Sequence, residues 1–416
     1  MTQLAPKRAR AAQIALLSIF FTQGFAALST LPRIPEILQQ INVVFAEWGL
    51  IIGLSGLGSL LPLVFTNRLV LRYGTSTVIR LSAFGITISL FSIPWITNPA
   101  LMFLVYLAQA LMFSTFNISL NAQAVAFQKR LGKVVLGTMH GAWSVGAALT
   151  TAFTGLLISL HLDFKVQMIV VPAFCLLVFQ IAGAKLLTFA EEKGAGDAKS
   201  DKQVSWLKSP TYLWLLAIGL FAGMWPELVV MDWSSLFVER VYGKDYASLT
   251  GVPYACLGAA MVAGRFSIAW LTKRWHIATL SHWGGLLGAG AMALGILSSL
   301  IPGGFYLQCF FFALTGLGLA PQVPSSYSAA GHVRGLSTAQ ALSRMSLVNS
   351  LVVMLAKVFM GGLAQGFGLQ WAFVFPISML ALAGLVARVV AKTSKRQAQE
   401  NATAYPPTSP VAVIDA

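Results

Sequence analysis

The chain has 416 residues, of which 57% are hydrophobic and 10% charged, with a formal net charge of +15. Soluble globular domains carry about 25% charged residues, so this composition excludes an ordinary soluble enzyme or binding domain. Apolar runs of about 20 residues, the length of a membrane-spanning helix, recur from end to end. The sequence therefore predicts an all-α protein that crosses a lipid bilayer many times.

Hydropathy and helix-breaking residues together predict twelve transmembrane helices. Two six-helix bundles are expected, at residues 1–189 and 211–391, with the polar segment 190–210 as a cytoplasmic linker. The tail 392–416 has a composition typical of disorder. The predicted spans are 11–32, 47–67, 76–96, 100–127, 134–158, 166–189, 211–237, 247–270, 277–300, 303–327, 338–363 and 370–391.

The positive charges fall mainly on one side of this predicted topology. With the N-terminus inside, 23 of the 28 Lys and Arg residues face the cytoplasm, four face the other side, and Lys357 lies within a span. By the positive-inside rule, both termini are expected in the cytoplasm, with the protein in the cell (inner or plasma) membrane. The net charge is thus explained by orientation, and nucleic acid is not expected as a partner.

The two halves repeat each other at an offset of about 202 residues. The segments 67–81 and 269–283 align so that Arg72 falls on Arg274, and two pairs of glycines share the offset. Because six spans are an even number, both halves enter the membrane from the same side. The repeat is therefore parallel, and a solute cavity is expected between the halves near the middle of the bilayer.

This architecture resembles the major facilitator superfamily over essentially the whole membrane region. The superfamily's signature after the second helix, G-x-x-x-D-R-x-G-R-[KR], is reduced to "NRLVLRYGTS" (67–76), which keeps Arg72 and Gly74 and has Leu71 in place of the acid. The segments "LPRIPEIL", "NAQAVAFQ", "MHGAWSVGA" and "PELVVMDW" resemble the MosC-like branch, whose members are proposed transporters of sugar- or polyol-like solutes.

The resemblance implies a secondary transporter that moves a small polar solute by alternating access, coupled to protons. A second interpretation is an efflux transporter of amphipathic compounds, although the fifth span lacks the proline of the drug/proton antiporter pattern. A polytopic enzyme is less favoured, because the one long loop carries no cluster of acids, His or Ser. We expect no cofactor or metal, a monomer, and three partners: the solute, a proton or other coupling ion, and the bilayer.

Glu227, Asp232 and Lys357 are the candidate ionisable residues within the predicted spans, where charges are costly and usually face a cavity or each other. Glu227 and Asp232 are five residues apart in the seventh span, about 140° apart around a helix, so they lie on different faces. Lys357 lies in the eleventh span at a similar predicted depth. We expect all three to serve ion coupling, with Lys357 neutralising one acid. Glu227 is the preferred partner and Asp232 the alternative, while Asp232 as an interfacial cap and Lys357 extending to the membrane surface remain open.

Uncharged polar side chains are the candidates for solute binding. Asn117 and Asn121 share a face of the fourth span, and His140 is predicted at a similar depth in the fifth. Amides and imidazole bind hydroxylated solutes through hydrogen bonds, although buried amides also join membrane helices. Three further candidates for solute contact are Arg33, Gln109 and Trp143.

Arg72 and Arg274 occupy equivalent loops of the two halves and are the candidate gating residues. In the superfamily, basic residues of this loop close the cytoplasmic side through charge pairs and helix C-terminal dipoles. Since Leu71 replaces the usual acid, we expect the partner here to be a carbonyl group or an acid elsewhere in the chain.

Overall fold

The computed structural model describes residues 5–132, 135–192, 209–331, 333 and 336–404. Within these ranges the regular secondary structure is entirely helical. Eleven helices are long and apolar enough to cross a membrane, and a bent pair of shorter helices supplies the twelfth span. The predicted all-α membrane fold is therefore confirmed.

We number the twelve spans α1–α12, and several contain a short break. Their helices are α1 (Pro6–Ala27 and Ile34–Ile41), α2 (Phe45–Leu54, Leu57–Leu60 and Pro62–Tyr73), α3 (Thr75–Ser92), α4 (Pro99–Leu131), α5 (Leu136–Ser159), α6 (Phe164–Gly183), α7 (Thr211–Tyr242), α8 (Val252–Leu271), α9 (Ile277–Leu297), α10 (Phe305–Leu319 and Gln322–Ala330), α11 (Thr338–Phe367) and α12 (Val374–Ala404). With twelve spans, both ends of the chain lie on one face, called the terminal face here.

The second span was predicted as a single helix, but it is broken and bends by 42°. Pro62 begins its last segment, at the first helical position, where proline lacks only an N–H that would be unpaired anyway. Upstream, Gly56 N–H bonds the carbonyl of Gly53, a tight turn in place of the regular helical bond. These local breaks reorient α2 without interrupting its passage across the membrane.

Two predicted boundaries differ from the structure. The first residues of the predicted linker, 190–192, belong to a short helix, Phe189–Glu192, that lies against the N-terminal half; residues 193–208 lie outside the described residues. The last helix continues to Ala404, past the predicted start of the disordered tail at 392. The segment 392–404 contains Lys, Arg, Gln, Glu and Ala, which are good helix formers. Residues 405–416 lie outside the described part.

The two halves are in direct contact at the face opposite the termini. A Cβ added to Gly49 of α2 would lie 2.8 Å from the Cα of Gly361 of α11, so the two backbones touch. Nearby, Gln39 Nε2 donates to Glu239 Oε1 at 2.7 Å, and Phe45 N–H donates to the side chain of Gln365 at 3.1 Å. This end of the molecule is therefore closed by contacts between the halves.

Candidate functional site

Span α7 carries both predicted acids and is anchored by two tryptophans. Trp225 and Trp233 are fully buried, and their rings pack against Phe375 and Phe45 at centroid distances of 5.5 and 6.1 Å. Buried aromatic rings fix the rotation of the helix through their large contact area. The faces toward which Glu227 and Asp232 point are set by this packing.

Asp232 faces a cavity between the halves that is called the smaller cavity here, in contrast to the larger one beside Glu227. The smaller cavity has a volume of about 410 Å³, and residues of α1, α2, α4, α7 and α11 line it. Lys357 Nζ lies 2.7 Å from Asp232 Oδ2, with side chains 18% and 15% exposed. Both halves therefore contribute to the wall of this cavity.

Two buried polar atoms in the wall of the smaller cavity lack hydrogen-bond partners among the described residues. They are Gln109 Oε1 and the indole Nε1 of Trp48, which also packs edge-on against Tyr106 at 5.6 Å. Buried polar groups are normally paired, because each unpaired group costs about 1–3 kcal/mol. Both atoms have almost no exposed surface in this state, so a solute could reach them only after the wall rearranges.

Glu227 faces the larger cavity, which measures about 760 Å³ and is lined by residues of α1, α5, α7 and α8. Glu227 Oε2 lies 3.9 Å from an Nη atom of Arg265, and their side chains are 25% and 43% exposed. Apart from this pair the wall is mainly apolar, with Trp143, Tyr254 and Phe266 among its residues. Each acid of α7 thus has its own basic partner and its own cavity.

Lys357 was expected to neutralise an acid of the seventh span, and this is confirmed with Asp232, the alternative partner. The preferred pairing with Glu227 was wrong. The 140° between the two acids places them on different faces of α7, and the packing of the helix turns the Asp232 face toward Lys357 and the Glu227 face toward Arg265.

Sequence reasoning missed Arg265, which it counted among the charges of the cytoplasmic loops. The structure places Arg265 within helix α8, beside Glu227. The predicted eighth span, 247–270, already contained Arg265, and the apolar run "FSIAWL" after it supports the same placement within the membrane.

The amide cluster of α4 lies apart from both cavities. Asn121 Nδ2 donates to the side-chain and backbone oxygens of Asn117 at 2.8 and 2.9 Å, so the two share a face as predicted. The exposed His140 packs its ring edge-on against Phe20 at 5.4 Å. None of the three lines the smaller or the larger cavity. Their contact with a solute stays a prediction.

Trp143 and Gln109 line the larger and the smaller cavity respectively, but Arg33 lines neither. Arg33 is only 4% exposed, at the end of α1 away from the terminal face. Its guanidinium donates to Glu36 Oε1 at 2.6 Å, to Gln167 Oε1 at 3.0 Å and to the carbonyl of Leu162 at 2.7 Å. In this state the protein itself takes up these donors, and contact of Arg33 with a solute stays a prediction.

A family profile of the Major Facilitator Superfamily matches residues 14–333. The chain belongs to the major facilitator superfamily. An uncharacterised MFS-type transporter from Yersinia pestis is 24% identical over 383 residues, with 91% of this chain and 96% of that protein covered. The uncharacterised transporter y4wD from Sinorhizobium fredii is 23% identical over 375 residues, with coverages of 89% and 96%.

Solved structures share the superfamily fold. A variant of the nucleoside transporter NupG superimposes with a TM-score of 0.74 at 12% identity, covering 91% of this chain and 99% of that one. A bacterial homologue of the human lysosomal transporter Spinster, inward-facing and unoccupied, gives 0.69 at 16% identity, with coverages of 94% and 99%. These likenesses, together with the family, indicate a secondary transporter rather than an enzyme.

The superfamily's signature loop is exposed in this structure. The guanidinium of Arg72 stacks over the neighbouring Tyr73 at 5.2 Å, and that of Arg274 over Trp270 at 5.8 Å. Within the described ranges, neither arginine forms an ion pair. The role of both in closing the terminal face stays a prediction, for a state other than the one seen here.

Acids near this loop come from the short helix Phe189–Glu192. Glu191 Oε2 lies 2.7 Å from Arg8, and the hydrogen bond from Arg8 lowers the pKa of Glu191 to about 2. Glu192 accepts from the hydroxyl of Thr75, two residues after Tyr73, at 2.6 Å. Glu192 thus ties the end of the signature loop to the beginning of the linker, while Glu191 ties the same short helix to the first span.

Arg72→Ala is expected to slow transport about fivefold, with little change in solute affinity. The reason is that a gating residue biases the equilibrium between states, and ~1 kcal/mol changes a population about fivefold. Turnover and KM in proteoliposomes measure the effect, with Arg68→Ala, an exposed arginine of the same helix end, as control. Normal turnover in Arg72→Ala would show that this arginine serves topology alone.

Proposed function

We propose that the protein carries a small polar solute of the sugar or polyol type across the cell membrane, coupled to protons. The observation that carries this proposal is the smaller cavity, which both halves build around an ion pair and two unpaired polar groups. Alternating access requires such a shared site near the middle of the membrane. The proposal places both termini in the cytoplasm and treats the transporter as a monomer.

The chemistry of the smaller cavity suits hydroxyl groups. Gln109 Oε1 can accept a hydrogen bond and Trp48 Nε1 can donate one, while a hydroxyl can do both. The partly exposed ring of Tyr106 offers apolar surface to the carbon face of a sugar, whereas Trp48 is only 1% exposed in this state and would have to move to do so. This fits the resemblance to the MosC-like branch, and since the fold neighbour NupG is a nucleoside transporter, nucleosides, which contain ribose, belong among the compounds to test.

Glu227 is the proposed proton-coupling carboxylate. It lies near the middle of α7 at the wall of the larger cavity, where a proton can reach it, and Arg265 balances its charge. Intramembrane carboxylates with an accessible partner commonly act as proton relays. Asp232 and Lys357, more tightly paired, would respond to the solute directly.

Efflux of amphipathic compounds is the second candidate. The larger cavity favours it, because this space of about 760 Å³ has mainly apolar walls and a single charged pair. The two candidate functions therefore differ in the cavity that the solute occupies. A sugar would bind in the smaller cavity, and an exported amphiphile in the larger one.

Uptake into proteoliposomes under an imposed pH gradient tests the proposal, with a panel of sugars, polyols, nucleosides and amphipathic dyes. One panel sugar or polyol is expected to accumulate, and Gln109→Leu should raise its KM about three- to tenfold, the effect of one lost hydrogen bond. Gln180→Leu, in α6 and away from both cavities, is the matched control. Movement of the dyes alone would favour the second candidate and overturn the first.

A further inference from the structure

The ion pair in the larger cavity leaves most of its donors unused. Arg265 lies 3.9 Å from Glu227 and makes no hydrogen bond within the described ranges, and its side chain is 43% exposed to the cavity. A guanidinium has five N–H groups, and a well-formed pair with a carboxylate uses two of them at about 2.8 Å. The contact is therefore loose, and Arg265 keeps donors free for a second anion.

The remainder of this cavity fits an apolar body. Leu17, Trp143, Met261 and Phe266 contribute apolar side chains from both halves. Glycines leave further space, since a Cβ added at Gly141 would meet nothing within 4 Å. A volume of about 760 Å³ is within the range of about 300–1,000 Å³ found for small-molecule sites.

We propose that the larger cavity binds a monocarboxylate with an apolar or aromatic body, which takes the place of Glu227 beside Arg265 when Glu227 is protonated. The charges balance at each step. Before binding, one guanidinium faces one carboxylate; afterwards the same guanidinium faces the ligand's carboxylate, and the proton sits on Glu227.

Each half of this exchange is less favourable alone than together with the other. An anion that arrives without a proton leaves two carboxylates for one guanidinium, and a proton that arrives without an anion leaves Arg265 unpaired. Uncompensated charge within a membrane is costly in both cases. One anion and one proton therefore bind together, and their joint binding is electroneutral.

This inference goes beyond the proposed function, because it concerns the larger cavity and not the polar solute of the smaller one. The two share only the proton on Glu227. Equilibrium binding in detergent tests the anion site without any transport, so its failure and the failure of sugar uptake are separate results.

The experiment measures binding of radiolabelled benzoate, 2-naphthoate and octanoate to the purified full-length chain between pH 6 and 8. We expect at least one of them to bind, with one proton taken up per anion in weak buffer. Affinity should fall about tenfold per pH unit while Glu227 is deprotonated in the free protein. The other titratable groups that interact with this pair are His140 and Tyr254, so the pH profile is repeated in His140→Gln, where the same pH dependence is expected. Neutral benzyl alcohol should not compete. Absence of binding by all three acids, binding that is independent of pH, or equal competition by benzyl alcohol would overturn the proposal.

Substitutions distinguish the role of Glu227 in proton uptake from the role of Arg265 in anion binding. Glu227→Gln should bind the anion with no pH dependence and no proton uptake. Arg265→Gln should weaken binding about 10- to 100-fold, the loss of a hydrogen bond to a charged group, and Arg265→Lys should recover part of it. Arg68→Gln, an exposed arginine far from this cavity, is the matched control. If Arg265→Gln, eluting as a folded monomer, binds the acids as wild type does, the assignment to Arg265 is wrong.

Discussion

Glu227→Gln should abolish accumulation of solute against its gradient while exchange of solute across the membrane continues. A glutamine cannot take up a proton, so the pH gradient no longer drives the cycle, yet the side chain keeps its size and can still accept hydrogen bonds. The accumulation ratio in proteoliposomes with an imposed pH gradient should fall to about one, the value for a passive carrier.

Counterflow of labelled solute, which needs no proton gradient, shows whether the variant still completes the solute-bound half of the cycle. Asp245→Asn, an exposed acid before α8, removes the same charge outside both cavities and should accumulate solute as wild type does. Full accumulation in Glu227→Gln would assign coupling to another group, with Asp232 the next to test.

Lys357→Met and Asp232→Asn should each destabilise the protein, and the double variant should be less destabilised than the sum of the two. The pair is 2.7 Å apart and mostly buried, so removal of one partner leaves an uncompensated charge. For buried pairs this costs about 3–5 kcal/mol, while replacing both partners is often much milder. Thermal unfolding in detergent and folded yield measure the cycle.

The same cycle with Glu227→Gln in place of Asp232→Asn is the internal control. Glu227 contacts Arg265 rather than Lys357, so its combination with Lys357→Met should be close to additive. Additivity in the Asp232 cycle as well would mean that the short distance contributes nothing to stability, and Lys357 would then act independently of α7.

The fold was predictable because membrane-spanning helices can be recognised from the length and apolar composition of their sequence. A run such as that of α7 is apolar over more than the bilayer thickness, and only a helix satisfies its backbone there. The break in α2 was not foreseen, although Gly56 and Pro62 are the residue types that allow it. Whether such residues bend a span depends on the helices packed around it.

The site was predictable only in part. Helical periodicity shows on which face of a helix a residue lies, but not which other helix packs against that face. It correctly placed Glu227 and Asp232 on different faces, but which face meets α8 and which meets α11 depends on the arrangement of all twelve spans. Arg33 shows the same limit: the sequence does not show that partners such as Gln167 take up the donors of this arginine at a helix end.

The crossing of α2 and α11 has a consequence for the speed of the carrier. At Gly49 and Gly361 main chain lies on main chain, so at this point of the crossing no side chains interlock between the two helices. We expect such a backbone contact between α2 and α11 to open and close by rigid-body movement of the helices, with little repacking of side chains at that point. We therefore expect the lifetime of the closed face to be set by the polar contacts at its rim, such as Gln39 with Glu239, so that a few hydrogen bonds time each opening.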